Sequence, residues 1–335
     1  MTAPRSLASQ YLASQYLEPQ RFGPVARGLP PGCAALLASA ALLAACASSA
    51  PRPAESVLNA EHDFFIDGPA GKLRVSDGGR GGVPVLFLHG LGGDSGVWQA
   101  QLDHLRQTRR AVAFDARGHG RSARAPESAY TVEGLADDIF AVAQALRLSR
   151  FVLVGHSISG CALQAYAARH GETLAGLVFA DAIGDFRKAG APSEIEQFIQ
   201  ADLALNADPA KEAALFSEML TAPAKDATKT QVLRALGQLD PKAFAPLRIS
   251  MARFAPAQDL SQSGVPLFSI EAADNNFPVR FSALEPAAPR VALAHVSHWL
   301  MLDDPGGFNA ALDGFLALAD SGPAKPASPK KLPNQ

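Results

Sequence analysis

Phe151-Val152-Leu153-Val154-Gly155-His156-Ser157-Ile158-Ser159-Gly160 is the stretch that decides how this chain folds. Its first four residues are apolar and β-prone, the composition of a strand buried on both faces. Gly155 opens a sharp turn, Ser157 stands at its apex, and Cys161 to Tyr166 reads as a helix. A strand, a glycine, a serine two places on, a small residue and a helix make a nucleophile elbow. This turn holds a serine hydroxyl exposed above the carboxyl end of a parallel sheet. The glycine that usually closes the pattern is Ser159 here, and Gly160 follows one place later. Serine is small enough for the close strand–helix contact.

Working outward, strand and helix patterns alternate. His62–Ile66 and Lys72–Ser76 read as a hairpin turning near Asp67-Gly68. Val83–Leu88, Ala111–Phe114, Leu177–Ala180, Val265–Ile270 and Arg290–Val296 read as further strands. Trp98–Leu105 and Phe308–Leu318 read as helices. Thr131–Leu146 does too, with Thr131 as cap and Leu135, Ile139, Val142 and Leu146 on one face. Strands separated by helices predict an α/β fold, a mostly parallel, doubly wound sheet covered on both faces. The alternation breaks between 185 and 259. There Ile195, Phe198, Ile199 and Leu203, then Leu215, Phe216, Met219 and Leu220, space helically among prolines. This span is expected to be a helical cap inserted into a core formed by residues 59–184 and 260–320, with a lid as its natural role. Residues 321–335 have the composition of a disordered tail.

Serine is a weak nucleophile without a base within hydrogen-bond reach. In elbows of this type the order is serine, acid, histidine. His298 lies on the loop after the last strand and is the expected base; His295, its competitor, sits in or at the end of that strand. Asp274, on the loop after Val265–Ile270, is the expected acid. Asp181 and Asp185, after the preceding strand, are the alternatives, and Glu271 sits nearer its strand. The turn His89-Gly90-Leu91-Gly92-Gly93 can aim backbone N–H groups at a cavity. The expected oxyanion donors are the N–H groups of Leu91 and Ile158. His89 is expected to hold that loop rather than to react. Trp98, Phe277 and Trp299 are candidates for the pocket wall, each with packing as the alternative role. Cys161 is expected to be a buried, inert thiol.

HGLGG (89–93), FDARGHGRS (114–122), GHSISG (155–160), EAADNNFP (271–278) and SHWLMLDDPGGFNAAL (297–312) form an ordered set. On it, residues 60–318 resemble the α/β-hydrolase fold superfamily. The nearest likeness is the branch of esterases, enol-lactonases, carbon–carbon hydrolases and cofactor-free perhydrolases, which commonly carries a helical cap. The resemblance implies a serine hydrolase that cleaves a small ester-like substrate through an acyl-enzyme, with no metal or organic cofactor; the alternatives are acyl transfer or perhydrolysis by the same triad, or a non-catalytic binding protein of this fold. It also implies structural duty for Asp115, Arg117 and His119. Serine at the elbow argues against the superfamily's dehalogenases and epoxide hydrolases, which use aspartate there.

The bulk numbers agree with a globular enzyme. Of 335 residues, 48% are hydrophobic and 19% charged, and a net charge of −2 gives no electrostatic reason to expect nucleic acid. The three cysteines show no metal or redox spacing. Residues 1–45 read as an N-terminal extension and export signal: Arg21 and Arg27, then an apolar run from Cys33 to Ala47. That run is shorter than the ~20 residues that span a bilayer. Leu43-Ala44-Ala45-Cys46 resembles the lipobox of bacterial lipoproteins, which implies lipidation of Cys46, with 46–58 as a tether. The expected location is thus the bacterial cell envelope, on the outer membrane or its periplasmic face, anchored by lipid. The repeated LASQY at 7–11 and 12–16 precedes the usual place of such a signal and points to a start downstream of Met1.

Overall fold

The computed structural model describes residues 62–321, except 189, 207–213, 215, 218, 221–222, 258–259 and 275–278. The leader, the tether, Cys46, the tail beyond Ser321, Leu215 and Phe277 lie outside the described residues.

Eight strands form one sheet: β1 (His62–Gly68), β2 (Gly71–Gly78), β3 (Val85–Leu88), β4 (Ala111–Phe114), β5 (Phe151–His156), β6 (Leu174–Ala180), β7 (Leu267–Ala272) and β8 (Arg290–Leu293). Their order across the sheet is β1-β2-β4-β3-β5-β6-β7-β8. β2 pairs antiparallel with both β1 and β4, and every other pairing is parallel. Every residue of β3, β4, β5 and β6 is buried. That requires cover on both faces of the sheet and explains their unbroken apolar runs.

The cover comes from α1 (Gln99–Leu105), α2 (Val132–Ala145), α3 (Ser159–His170) and α9 (Pro305–Ser321). α2 packs on α3, and α9 packs on α1 and β7. α2 begins where expected, because the Thr131 hydroxyl accepts the Gly134 N–H at 2.9 Å. Asp320, near the end of α9, accepts the Val83 N–H at 3.0 Å just ahead of β3. The α/β reading of the sequence is therefore the architecture found.

Element boundaries move for local reasons. The first hairpin turns at Pro69-Ala70, with Gly68 paired to Gly71, directly after Asp67-Gly68. The expected helix from Trp98 is a 3₁₀ turn over Ser95–Trp98, capped by Asp94, before α1 begins. β8 stops at Leu293, short of Val296, since His295 takes a φ of 57° and ends the extended run. Between β6 and β7 the chain forms α4 (Pro192–Asn206), α5 (Asp226–Leu236) and α6 (Phe244–Arg253). Two four-residue helices, α7 (Phe281–Leu284) and α8 (Leu300–Asp303), flank β8.

Candidate active site

The turn between β5 and α3 places Ser157 in the left-handed region at φ 57°. A serine persists there only when its surroundings over-determine it. Three backbone bonds do so: Ser157 N–H donates to Ala180 O at 3.2 Å, and Ser157 O accepts from Gly160 at 3.0 Å and Ile183 at 3.0 Å. Two glycines make room. A Cβ on Gly155 would meet Leu163 at 2.5 Å, and one on Gly160 would meet the Ile183 carbonyl at 2.4 Å. The tight contact with the chain leaving β6 thus falls at Gly160, one place beyond its usual position. Ser159 is left free to use its hydroxyl, which donates to His89 O at 2.5 Å.

His298 lies on the loop between β8 and α8 and is buried. Its Nδ1 is 2.7 Å from Asp181 Oδ2. Asp181 directly follows β6 at φ 42°, a conformation aspartate tolerates better than most residues. Its Oδ1 accepts the Ala272 N–H at 3.2 Å, and its own N–H donates to Ile270 O at 2.7 Å. The carboxylate beside His298 is thus not that of the expected Asp274. Asp274 is exposed in the turn two residues past β7, whereas Asp181 reaches His298 from the strand beside the elbow. β7 holds the Asp181 carboxylate in place. Asp185, the other alternative, is bound to Arg187 at 2.8 Å.

Ser157 and His298 face one cleft, also lined by Leu91, Ile158, Ile183, Phe216, Met219, Arg248, Met251, Val279 and Trp299. It is narrow, with a cavity volume of about 40 Å³. Leu91 and Ile158, the expected oxyanion pair, border it beside the serine. Trp299 is part of its wall. Trp98 is not: it is fully buried against Phe87 and Phe308 at ring distances of 4.9 and 5.8 Å. Its place directly before α1 turns it into the core. Arg248, Phe216 and Met219 enter the wall from the span inserted between β6 and β7. Helical spacing grouped Phe216 with Met219, but no sequence signal singled out Arg248.

The remaining polar groups hold loops. His89 Nδ1 donates to Gly90 O at 2.7 Å while Nε2 accepts the Ala116 N–H at 3.1 Å. Asp115 accepts from Ser95 N at 2.8 Å and Arg121 N at 2.9 Å. Arg117 grips Asp138 through two nitrogens, at 2.9 and 2.7 Å. His119 Nδ1 donates to Arg117 O at 2.9 Å, and burial, with His89 nearby, pushes its pKa down to about 3. His156, next to Ser157, donates from Nε2 to His298 O at 2.8 Å. Burial, then the neighbouring His298, holds it well below the usual histidine range, so it is neutral and serves as a prop for the histidine loop. Burial also pushes the Cys161 thiol up, far from a reactive thiolate.

Comparison with known proteins agrees with this geometry. A profile of the family described as alpha/beta hydrolase fold matches residues 83–299. A Caulobacter vibrioides protein with the provisional name carbamate hydrolase RutD is 30% identical over 247 residues, which cover 69% of this chain and 89% of that one. A thermophilic esterase from Thermogutta terrifontis superposes with a TM-score of 0.66 at 22% identity, covering 78% of this chain and all of that one. The N-acyl homoserine lactonase AidH superposes with a TM-score of 0.62 at 20% identity, covering 77% and 98%. With an elbow serine and a carboxylate-held histidine meeting in one cleft, and with this match over most of its length, the chain belongs to the alpha/beta hydrolase fold family and is a hydrolase.

Proposed function

We propose that this protein hydrolyses a small-molecule carboxylic ester, lactone or thioester through an acyl-enzyme on Ser157. The observation that carries the reading is His298, oriented by Asp181 at 2.7 Å and facing the same cleft as the elbow serine. In the first step His298 Nε2 takes the Ser157 proton, and Ser157 Oγ attacks the substrate carbonyl. Asp181 accepts the Nδ1–H and stabilises the imidazolium without taking the proton. The N–H groups of Leu91 and Ile158 receive the oxyanion. The leaving alcohol or thiol collects the proton from His298. Water activated by the same imidazole then releases the acid and frees the serine. Helices α4 to α6 act as a cap that shapes the cleft and limits water. A carbamate carbonyl would meet the same groups, and the name of the Caulobacter relative places carbamates in the substrate panel.

Turnover of short-chain p-nitrophenyl esters and labelling by a fluorophosphonate probe test the reading. Ser157→Ala should lower kcat by about 10⁴-fold or more and abolish labelling; near-normal turnover by that variant would remove Ser157 from the mechanism. Asp181→Asn should lower kcat by up to about 10⁴-fold, the loss seen when a triad carboxylate is replaced by its amide. Asp274→Asn should stay within about threefold of the parent. The opposite pattern would return the acid to Asp274.

A further inference from the structure

We propose that Phe216 sets the acyl-chain limit of the cleft, so that the preferred substrates are esters of short apolar acids, acetyl to butyryl. The inference rests on the ester-hydrolase reading above and narrows it to a substrate class. Phe216 comes from the span inserted between β6 and β7, and its side chain is buried in the cleft wall. Leu220 N–H donates to its carbonyl at 3.0 Å, so the residue stands on a helical turn. Its ring joins three separate elements. A Cβ on Gly92 would meet Phe216 Cζ at 3.0 Å and Leu236 Cδ1 at 2.9 Å, so the ring rests against the turn that carries Leu91. Its centroid stands 6.1 Å from that of Trp299, the residue after His298, and 6.1 Å from that of Phe244 on α6.

These contacts leave the ring little freedom. Met219 and Met251 also line the cleft, but an unbranched thioether chain can move aside for a ligand. A ring packed between two loops and a helix yields far less, so Phe216 decides how far a chain can extend. The cavity volume is about 40 Å³. A water-sized group takes roughly 10–15 Å³ of such volume, so the cleft holds about three of them, the size of an acetyl or propionyl group. Movement of the two methionines adds the room for butyryl. Further chain carbons would have to displace Phe216 or remain in water, where their burial contributes nothing. The acyl half stays on Ser157 until water releases it, whereas the alcohol leaves first and needs a way out. The walled part of the cleft, where Ile158, Phe216, Val279 and Trp299 are buried apolar groups, therefore takes the acyl chain.

Two ester series test this on the full-length protein. One varies the acyl half, as p-nitrophenyl acetate, butyrate and octanoate. The other varies the alcohol half, as ethyl and octyl acetate followed by acid release. For wild type, kcat/KM should fall by about tenfold or more from p-nitrophenyl butyrate to octanoate. Phe216→Ala should raise the octanoate-to-acetate ratio by about tenfold or more, the size of one methylene's worth of discrimination in an apolar pocket. It should leave the octyl-to-ethyl ratio of the acetates within about twofold of wild type, which a general loosening of the fold would not do. Phe216→Leu should move the acyl ratio in the same direction by less. Melting curves establish that each variant is folded, and Phe216→Leu carries the test should Phe216→Ala fail to fold. A wild type that takes octanoate as well as butyrate, an acyl ratio unmoved in the folded variants, or an alcohol ratio that moves as much as the acyl ratio overturns the limit while leaving the hydrolase reading intact. Failure to turn over any ester of either series, together with no fluorophosphonate labelling, would overturn both.

Discussion

Ser159 shows how one departure from a motif can be absorbed. The close approach beneath the elbow is met by Gly160, and the Ser159 hydroxyl instead donates to the carbonyl of His89, which opens the turn carrying Leu91. The bond ties the proposed nucleophile's helix to the proposed oxyanion loop. Ser159→Ala should therefore lower kcat by roughly fivefold with little change in KM, as the loss of one buried hydrogen bond of about 1 kcal/mol allows. Equal kcat values in parent and variant would reduce Ser159 to a spacer. At this scale chain order and local pattern sufficed to foresee that Ser157 and His298 meet in one cleft. Which carboxylate lies beside His298 was not legible, because Asp181 and Asp274 both follow strands at the same end of the sheet. What separates them is the register of β6 beside β5, the left-handed backbone at Asp181 and the Ala272 N–H that pins its carboxylate. Arg248 was hidden for a related reason: spacing along a helix says which residues share a face, but packing decides which face meets a cleft.

Among the elements, α5 is attached to the core at both loops that border the cleft. Asp303 Oδ2 accepts from Ser297 N at 2.8 Å and Ser297 Oγ at 2.5 Å, beside His298. Its Oδ1 accepts from Thr228 Oγ1 at 2.7 Å and Lys225 N at 3.2 Å, at the start of α5. At the other end of α5, Arg234 meets Asp94 at 3.0 Å, two residues past Gly92. One buried carboxylate thus joins the inserted helices to the histidine loop. Asp303→Asn replaces one acceptor oxygen with an amide donor inside this network and should cost about 1–3 kcal/mol of stability. It should also lower kcat by displacing His298. Denaturant unfolding and ester kinetics check both, and a variant that is as stable and as active as the parent would show that Asp303 couples nothing. The strands and α2 were readable from apolar runs and a cap. The attachments were not, since they join residues 75 to 140 positions apart.

The whole molecule keeps two buried histidines neutral, His119 with a pKa of about 3 and His156 well below its usual range. The unfolded chain binds protons at these rings near pH 6.5, and the native state does not. Their contribution to stability is therefore complete above about pH 6.5 and is lost as the pH falls from there toward the folded values. Each ring adds a slope of up to about 1.4 kcal/mol per pH unit across that window. His119→Gln should flatten the fall in stability between neutral and acidic pH, read as the difference between denaturation midpoints at the two pH values; an unchanged difference would mean that the ring protonates as easily in the native state. The sheet has one more consequence at this scale. Since β2 runs antiparallel to both β1 and β4, β1 points the same way as the parallel strands, and His62 stands at their amino ends. α9 brings the chain back to that pole, where Asp320 meets Val83. Ser157 stands at the opposite pole, on a strand about 19 Å across the sheet from β1. An enzyme fused to a carrier, or fixed to a surface, through either end of this fold would present its cleft outward, away from the point of attachment.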